Sequence, residues 1–311
     1  MHGVIRWNNR SIFSVPRFRG GKLMLTEKRK PDVVLQTDFG LTTGFVGSMY
    51  GVIRNVDPEL SVFDLNHEIK SFDFRQASRS LADTVFYWKD GTVFVSVVDP
   101  GVGTSRRSCV ARLRNGSYIV TPDNGTLTGV YQDITEVREI DETVNRLKGS
   151  GEAYTFHGRD VYSYTAARLA SGIIDYEGVG PQYPLEEIIR FTVPEPVVSH
   201  GRVEGIITGC LKHYGEPDTN ITMEHMKAAG FAYGDMLNVV IAWRGEEKYN
   251  ENVPFVTTFD CVAPGEPLVY RAGTSPVIEI GFNMVKFADK IIPEIYDNDP
   301  MEFRIIFSLP R

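Results

Sequence analysis

The stretch "TVFVSVVDPGVGTSRR", residues 92 to 107, joins an apolar run to a polar, Gly-rich loop. The run from 92 to 98 has no polar alternation beyond one serine, which is typical of a strand buried on both faces. A turn must follow such a strand, but the turn does not need an acid, Asp99, and a base, Arg106, seven residues apart. The stretch therefore predicts a central buried strand with chemistry at its carboxyl end.

Strand-like runs and helical segments alternate around this strand. The runs are short and apolar, and the segments between them have apolar residues at helical spacing. This alternation predicts an α/β domain over residues 32–190, with a Rossmann-like, mostly parallel sheet and helices on both sides. The strands are predicted at 33–37, 60–65, 92–98, 108–113 and 117–122, and the helices at 43–56, 72–88 and 160–172.

Two further regions flank this domain. Residues 191–201 contain two prolines and little helical character, so we predict a linker there, followed by an antiparallel β-barrel or sandwich over 202–311. The barrel's strands include one predicted at 253–259. Residues 1–31 are basic and aperiodic, and we interpret them as a disordered extension, although an Arg-rich, acid-poor segment is also typical of a transit peptide.

Composition limits the class of function. The formal charge of −7 and the pI near 5.5 argue against a nucleic-acid surface or a polybasic membrane anchor, and favour a small-molecule partner. Three widely spaced cysteines without a CxxC motif fit reduced thiols in a cytoplasmic protein and provide no zinc framework. No apolar run approaches the roughly 18 residues of a membrane span.

Three polar loops are expected at the carboxyl ends of the strands, where open parallel sheets bind ligands. They are "TDFG" (37–40) with Asp38, the loop from Asp99 to Arg107, and "TFHGRD" (155–160) with His157. Each has a structural alternative: a helix cap, a Pro-Gly turn with solvated arginines, and a packed histidine. His67, in contrast to His157, is expected only to tie a loop. Neither a kinase nor a Walker phosphate motif is present.

Five motifs in order, "TDFG", "VDPGVGTSRR", "PDNG" (122–125), "TFHGRD" and "IEIGFNM" (278–284), resemble the S-adenosyl-L-methionine (SAM) hydroxide adenosyltransferase family, also called SAM hydrolase, adenosine-forming. Fluorinase and chlorinase are its halide-using relatives. The resemblance spans residues 32–290. It implies an α/β N-terminal domain, a β-barrel C-terminal domain, and a homotrimer with active sites between subunits.

The resemblance also implies catalytic roles for Asp99, Arg106 and His157, which match the family's water-holding set. The halide-using relatives do not preserve this set, so its presence favours water as the nucleophile. An Asp and a His accept hydrogen bonds from water, and an always-charged Arg stabilises developing hydroxide. We therefore expect hydrolysis of SAM to adenosine and L-methionine, without a metal or an organic cofactor.

Substrate-binding roles are implied at six positions. Asp38 is expected to bind the ribose hydroxyls, Asp123 and Asn124 either line the pocket or form a turn, and Glu279 and Asn283 match the adenine-binding segment. The methionine-binding segment departs from the family's D-x-F-G-N run, because this chain reads "YGEPDTNIT" and retains only Asn220. Asp218 or Glu216 is then the candidate for the α-amino group.

Two other functions stay open at this point. One is a SAM-dependent halogenase of the same fold, which incubation with chloride would distinguish. The other is a non-catalytic SAM or nucleoside-binding protein, which would bind its ligand stoichiometrically and leave it unchanged.

Overall fold

A computed structural model describes residues 30–152 and 154–310. The chain forms two compact units, one ending at Phe191 and the other beginning at Thr192. Most of the predicted extension, residues 1–29, lies outside the described residues. Lys30 does not fit that expectation, since it forms ion pairs with Asp57 and Glu59, both at 2.7 Å.

The first unit alternates strands with helices, as expected from its sequence. Short 3₁₀ turns lie at Val85–Tyr87, Thr128–Asp133, Glu177–Val179 and Leu185–Glu187. The main elements are β1 Val33–Thr37, α1 Phe45–Val56, β2 Val62–Asn66, α2 Phe74–Thr84, β3 Val93–Val97, β4 Ser108–Leu113, β5 Tyr118–Pro122, β6 Ile134–Glu139 and α3 Tyr164–Ala170.

The sheet of this unit has six strands in the order β2-β1-β3-β5-β4-β6. Strands β2, β1, β3 and β5 are parallel to one another, whereas β4 is antiparallel to both of its neighbours, β5 and β6. Only four residues separate β4 from β5, and so short a connection makes a hairpin and cannot make a crossover. The sheet is thus mostly parallel, with one reversed strand.

The central strand β3 is buried along its whole length. Val93, Val95 and Val97 pack with Met49 of α1 and with α3 on one face of the sheet, whereas Phe94 packs with α2 on the other. Helices therefore cover both faces, as the apolar run predicted. The polar groups that follow β3 emerge only at its carboxyl end.

The predicted helix at 160–172 begins earlier and less regularly than expected. Its first part, Gly158–Ser163, is a π-helix that leads directly into α3. A Cβ atom on Gly158 would lie 3.3 Å from side-chain atoms of Phe39 and Val97, so a glycine lets the helix start close to the ends of β1 and β3. Such π-segments occur often at functional sites.

The second unit is built mainly from antiparallel strands. It also contains 3₁₀ turns at Phe259–Cys261, Pro293–Tyr296 and Pro300–Glu302. Its elements are β7 Val197–Ser199, β8 Arg202–Cys210, β9 Pro217–Thr222, α4 Met223–Ala228, β10 Met236–Trp243, β11 Glu246–Pro254, β12 Pro267–Arg271, β13 Val277–Phe282, α5 Phe287–Ile291 and β14 Phe303–Ser308.

These strands form one sheet in the order β11-β10-β14-β8-β9-β13-β12, with β7 beside β8. A bridge between Phe255 and Val269 brings the two ends of this order together, so the sheet is a nearly closed barrel. The barrel interior holds one apolar cluster that includes Ile207, Val239 and Phe307. The second unit is therefore barrel-like, with its own core.

Several details of the second unit differ from the expectations, and β14 and most of β11 lie outside the predicted strands. Residues 197–199, inside the predicted linker, pair with β8 as β7. The strand predicted at 253–259 lies mostly beyond β11, which ends at Pro254. Strand β9 was not expected, because its sequence "PDTNIT" is polar; Asp218 and Thr219 are nevertheless buried there.

Within residues 30–152 and 154–310, none of the helices has the length and apolar character needed to cross a bilayer.

The carboxyl ends of β3 and β5 are tied together by Asn124. Its Nδ2 donates to the carbonyl of Val98 at 2.8 Å, and its Oδ1 accepts from the hydroxyl of Thr126 at 2.8 Å. Both ends of the amide are thus used within the fold.

We predict that Asn124→Ala lowers the free energy of unfolding by about 1–3 kcal/mol, because it leaves the buried Val98 carbonyl without its donor. Urea titration at a fixed protein concentration measures the change. Asn252→Ala, on the exposed side of β11, is the control and is expected to cost less than about 0.5 kcal/mol. Equal losses in the two variants would contradict the structural role of Asn124.

Candidate active site

A cavity of about 270 Å³ opens at the carboxyl ends of β1 and β3. Asp38, Asp99 and His157 line it together with aromatic side chains that include Phe39 and Phe72. A larger and more open hollow of about 440 Å³ lies around Tyr50 and Phe63, but it contains none of the sequence-predicted site residues. The first cavity is therefore the candidate active site.

Asp99 is held in this cavity by a two-point contact with Arg106. Nε of Arg106 donates to Oδ1 of Asp99 at 2.9 Å, and Nη2 donates to Oδ2 at 2.5 Å. The hydroxyl of Tyr162 adds a hydrogen bond to Oδ2 at 3.2 Å. The side chains of Asp99 and Arg106 are only 6% and 10% exposed, so this ion pair is shielded from solvent.

The electrostatics of Arg106 follow from this contact. Burial by itself lowers the pKa of Arg106, but the hydrogen bonds and the charge of Asp99 outweigh it and the pKa lies above its usual value. Arg106 is not among the residues that line the cavity. It acts on the cavity through Asp99, whose carboxylate it orients.

His157 lines the same cavity and is 5% exposed. Its Nε2 lies 3.4 Å from Oε2 of Glu142, a residue of the loop after β6. Its Nδ1 is buried and has no hydrogen-bond partner in the part of the chain that the structure describes. The hydrogen bond from His157 holds the pKa of the Glu142 carboxyl below its usual range.

Asp38 follows the carboxyl end of β1, the strand next to β3, and lines the same cavity. Burial raises its pKa, the hydrogen bond from the backbone N–H of Phe72 at 2.8 Å lowers it, and the charge of Asp99 raises it again, so the pKa lies above its usual value. Phe72 has a φ of 69°, which is unfavourable for a bulky residue, and is 67% exposed. Strain at Phe72 thus accompanies the contact that orients Asp38.

His67 takes no part in the cavity lining. Its two ring nitrogens lie 2.8 Å from Oγ1 of Thr37 and 2.8 Å from Oδ1 of Asp64, so the ring joins β1 to β2. The role is structural, as expected, but the ring joins two strands and does not tie a loop.

Asp123 and Asn124 do not line the cavity. Asp123 is 1% exposed and accepts hydrogen bonds from the hydroxyl of Tyr183 at 3.1 Å and the N–H of Ile189 at 2.9 Å. Asn124 spans Val98 and Thr126, as described above. Of the two interpretations that the sequence left open for "PDNG", the geometry favours the turn.

The remaining predicted residues lie in the second unit. Asn220 accepts from the N–H of Ile206 at 2.8 Å and donates to the carbonyl of Pro194 at 2.7 Å. Asn283 donates to the carbonyls of Phe259 and Val262 at 3.1 Å and 2.9 Å. Both amides are therefore engaged in holding loops of their own unit.

Carboxyl groups cluster on the neighbouring strands β9 and β13. Glu279 pairs in register with Asp218 on one side and with Tyr270 on the other. Glu216 lies just before β9, and burial together with the charge of Asp218 raises its pKa. This group of acids is the part of the second unit suited to meet a cationic group.

Sequence reasoning missed three polar residues that support the site. Ser108 and Tyr162 hydrogen-bond to Arg106 and Asp99, and Glu142 lies between Ser108 and His157, with Oε2 3.4 Å from the imidazole. Ser108 stands next to the "SRR" motif, which is a usable signal. Glu142 lies in an irregular loop with no motif around it, and only the folded chain brings it to His157.

The sequence profile of the SAM hydroxide adenosyltransferase N-terminal domain matches residues 33–180. The chain is also 33% identical over 251 residues to a protein of Salinispora tropica named (R)-S-adenosyl-L-methionine hydrolase, which covers 79% of this chain and 88% of that protein. This chain belongs to the SAM hydroxide adenosyltransferase family. The resemblance of its motifs is thereby confirmed.

Other relatives extend the comparison. A protein of Actinopolyspora mzabensis named fluorinase is 28% identical over 267 residues, 78% of this chain and 87% of that protein. Among solved structures, an uncharacterized conserved protein from Thermotoga maritima matches with a TM-score of 0.77 and 28% identity, over 88% of this chain and 99% of that one. Because the family contains proteins with two different names, the residues of the site must decide the nucleophile.

We predict that Phe72→Gly is more stable than Phe72→Ala by about 1 kcal/mol. Both changes remove the exposed ring, but only glycine adopts a positive φ without cost. Urea titration of the two variants under one set of conditions isolates the backbone effect. An alanine variant as stable as the glycine variant would show that the backbone at this position is unstrained.

Proposed function

We propose that this protein hydrolyses SAM to adenosine and L-methionine, with Asp99, Arg106 and His157 holding the attacking water. The observation that carries the proposal is the Arg106-bound carboxylate of Asp99, which shares one cavity with His157. Family relatives named (R)-S-adenosyl-L-methionine hydrolase support it. The protein is accordingly an enzyme of the hydrolase class.

The chemistry needs a positioned water more than a strong acid. The water oxygen bonds to C5′ of the ribose while the C5′–S bond breaks, the electron pair of the broken bond stays on sulfur, and the water loses one proton. The leaving group is the neutral thioether of methionine, so it requires no proton. Water is a poor nucleophile, with a pKa near 15.7, and holding it in line with the C–S bond supplies much of the rate.

The charge of the cavity suits a cationic substrate. The carboxylates of Asp38 and Asp99 are close enough for the charge of one to raise the pKa of the other. A sulfonium placed nearby relieves that repulsion. In the proposal Asp38 accepts hydrogen bonds from the ribose hydroxyls, since only one of its oxygens is engaged by the Phe72 N–H.

A halogenase is the second candidate, and the fluorinase relative favours it. A halide at the position of the water would stand beside the ionised Asp99, which repels an anion. A water can donate a hydrogen bond to the carboxylate of Asp99, which a halide cannot do. The local charge therefore favours hydrolysis.

Incubation of the purified protein with SAM, followed by chromatography, tests the function. We expect equimolar adenosine and methionine, with no change when sodium chloride or fluoride is added at constant ionic strength. Appearance of 5′-chloro- or 5′-fluoro-5′-deoxyadenosine would establish the halogenase instead. Bound but intact SAM after hours would identify a binding protein without turnover.

The adenine and methionine ends are assigned to the second unit, with Glu216 or Asp218 meeting the α-amino group. The reaction uses neither metal nor organic cofactor. The protein is cytoplasmic and has no nucleic-acid or membrane partner. It is a homotrimer in which the first unit of one chain faces the second unit of the next.

We predict that Asp99→Ala and His157→Ala each lower kcat by about 10²-fold or more, whereas the affinity for SAM changes little. The water lies opposite the sulfonium and touches neither adenine nor the methionine carboxylate, so its loss affects turnover. Arg106→Ala is expected to cost as much, and Arg106→Lys restores activity only in part, because an ammonium lacks the planar fork. Steady-state kinetics and calorimetric SAM titration measure the two quantities.

Arg107→Ala is the matched control for Arg106→Ala. Arg107 is directed away from Asp99 and pairs with Glu187 at 2.7 Å, with a side chain that is 36% exposed. Its loss is expected to leave kcat within about twofold, since exposed ion pairs contribute little. A larger loss of kcat in Arg107→Ala than in Arg106→Ala would refute the assignment.

We predict a trimer in solution, because the proposed substrate contacts are divided between the two units. Light scattering of the active protein is expected to give about three times the 34.9 kDa of one chain. A monomeric mass in a fully active sample is incompatible with a site shared between subunits.

A further inference from the structure

A series of polar side chains links the Asp99–Arg106 ion pair to His157. Nη1 of Arg106 donates to the hydroxyl of Ser108 at 2.8 Å, and that hydroxyl lies 3.3 Å from Oε1 of Glu142. The other oxygen of Glu142 lies 3.4 Å from Nε2 of His157. Glu142 is therefore the residue through which the Asp99–Arg106 pair and His157 are connected.

Glu142 is itself held in place. Arg146, four residues further along the same loop, donates from Nη1 to Oε2 of Glu142 at 2.7 Å. The Glu142 side chain is 34% exposed, so it is partly shielded rather than solvated on all sides. Fixed in this way, the carboxylate contacts the Ser108 hydroxyl through Oε1 and the imidazole of His157 through Oε2.

The contact with Glu142 determines which nitrogen of His157 carries the proton. A carboxylate only accepts hydrogen bonds, so Nε2 must be the protonated nitrogen of the neutral ring. The lone pair is then on Nδ1, the nitrogen that is buried without a partner among the described residues. A buried polar atom left unpaired in this way calls for a functional explanation.

Asp99 is less suited to receive a proton. Oδ1 accepts from Nε of Arg106, and Oδ2 accepts from both Nη2 of Arg106 and the hydroxyl of Tyr162. Each oxygen already serves at least one donor from the protein. The carboxylate is thus arranged to orient a water, whereas the lone pair of His157 is unused.

We infer that Glu142 is a positioning residue that fixes the Nε2-protonated form of His157, so that Nδ1 takes the proton of the attacking water. This inference rests on the proposed hydrolysis of SAM. As the O–C5′ bond forms and the C5′–S bond breaks, the water proton moves to Nδ1, and the resulting imidazolium faces the carboxylate of Glu142. The proton returns to solvent after the products leave.

Charged and titratable groups face His157 from three elements. Glu142 and Arg146 come from the loop after β6, and Asp99 comes from the loop after β3 and lines the same cavity. Tyr162 lies on the π-helix that His157 begins, with ring centroids 6.3 Å apart. Among these groups Glu142 makes the charged contact to the ring itself, so its removal has the most direct effect on the imidazolium.

Glu142→Gln tests the inference, with Glu142→Asp as the conservative variant. We expect Glu142→Gln to lower kcat at least about tenfold, with KM within about twofold, because substrate contacts are unchanged. In the plot of kcat against pH, the rise in kcat is expected to occur at lower pH in this variant. The reason is that the neutral glutamine side chain no longer stabilises the protonated imidazole of His157. Glu142→Asp keeps the charge and is expected to recover part of kcat and the original pH dependence.

Glu139→Gln is the matched control. Glu139 lies three residues earlier and pairs with Arg107 at 3.8 Å, away from His157. We expect its kcat and pH profile to equal those of the unmodified protein. The inference would be overturned if Glu142→Gln had the same kcat and the same pH dependence of kcat as this control. If Glu142→Gln does not fold, the protonated ring nitrogen of His157 in the unmodified protein decides, and Nδ1–H in active protein would overturn the inference.

A second readout does not depend on activity. Long-range ¹H–¹⁵N spectra of histidine-labelled protein, with His157 assigned from the His157→Ala spectrum, report which ring nitrogen is protonated. We expect Nε2–H in the unmodified protein and a mixture of both forms in Glu142→Gln. Unmodified protein that makes no adenosine refutes the proposed function, whereas an Nδ1-protonated His157 in active protein refutes this inference alone.

Discussion

The buried ion pair between Asp99 and Arg106 is the contact on which the site depends. It closes the Gly-rich loop after β3 and directs the carboxylate into the cavity. Removing one partner leaves an uncompensated charge away from solvent, at a cost of about 3–5 kcal/mol. The pair therefore belongs both to the fold of the loop and to the chemistry. This double role explains why an acid and a base stand seven residues apart where a turn alone would need neither.

The site holds several locally unfavourable features, and the sheet beneath it makes them tolerable. Asp38 and Asp99 repel each other, Phe72 has a positive φ, and Nδ1 of His157 is buried without a partner in the described chain. All of these residues line the cavity at the carboxyl ends of β1 and β3. A substrate cation and a bound water would relieve two of these features at once. Local conflict of this kind is expected where function and stability make different demands.

Much of the architecture could be predicted because burial leaves a periodic trace in the sequence. The apolar run of β3 and the helical spacing of α1 and α2 correctly indicated an α/β unit, and the short apolar runs of the second unit indicated its barrel. The reversed direction of β4 and the existence of the buried polar strand β9 leave no such trace. Strand direction is fixed by the length of the β4–β5 turn, and β9 is polar yet enclosed by β8 and β13. The secondary-structure propensity of the residues themselves predicts neither the direction of β4 nor the burial of β9.

The sequence by itself determined which chemical groups stand at the strand ends, because motifs such as "VDPGVGTSRR" and "TFHGRD" follow predicted strands or precede predicted helices. Only the tertiary structure decided what those groups contact. It directed Asn124 and Asp123 into structural hydrogen bonds, and it brought Glu142 to His157 from an irregular loop. The physical reason is that periodicity reports whether a side chain is buried, whereas its hydrogen-bond partner depends on how distant segments pack.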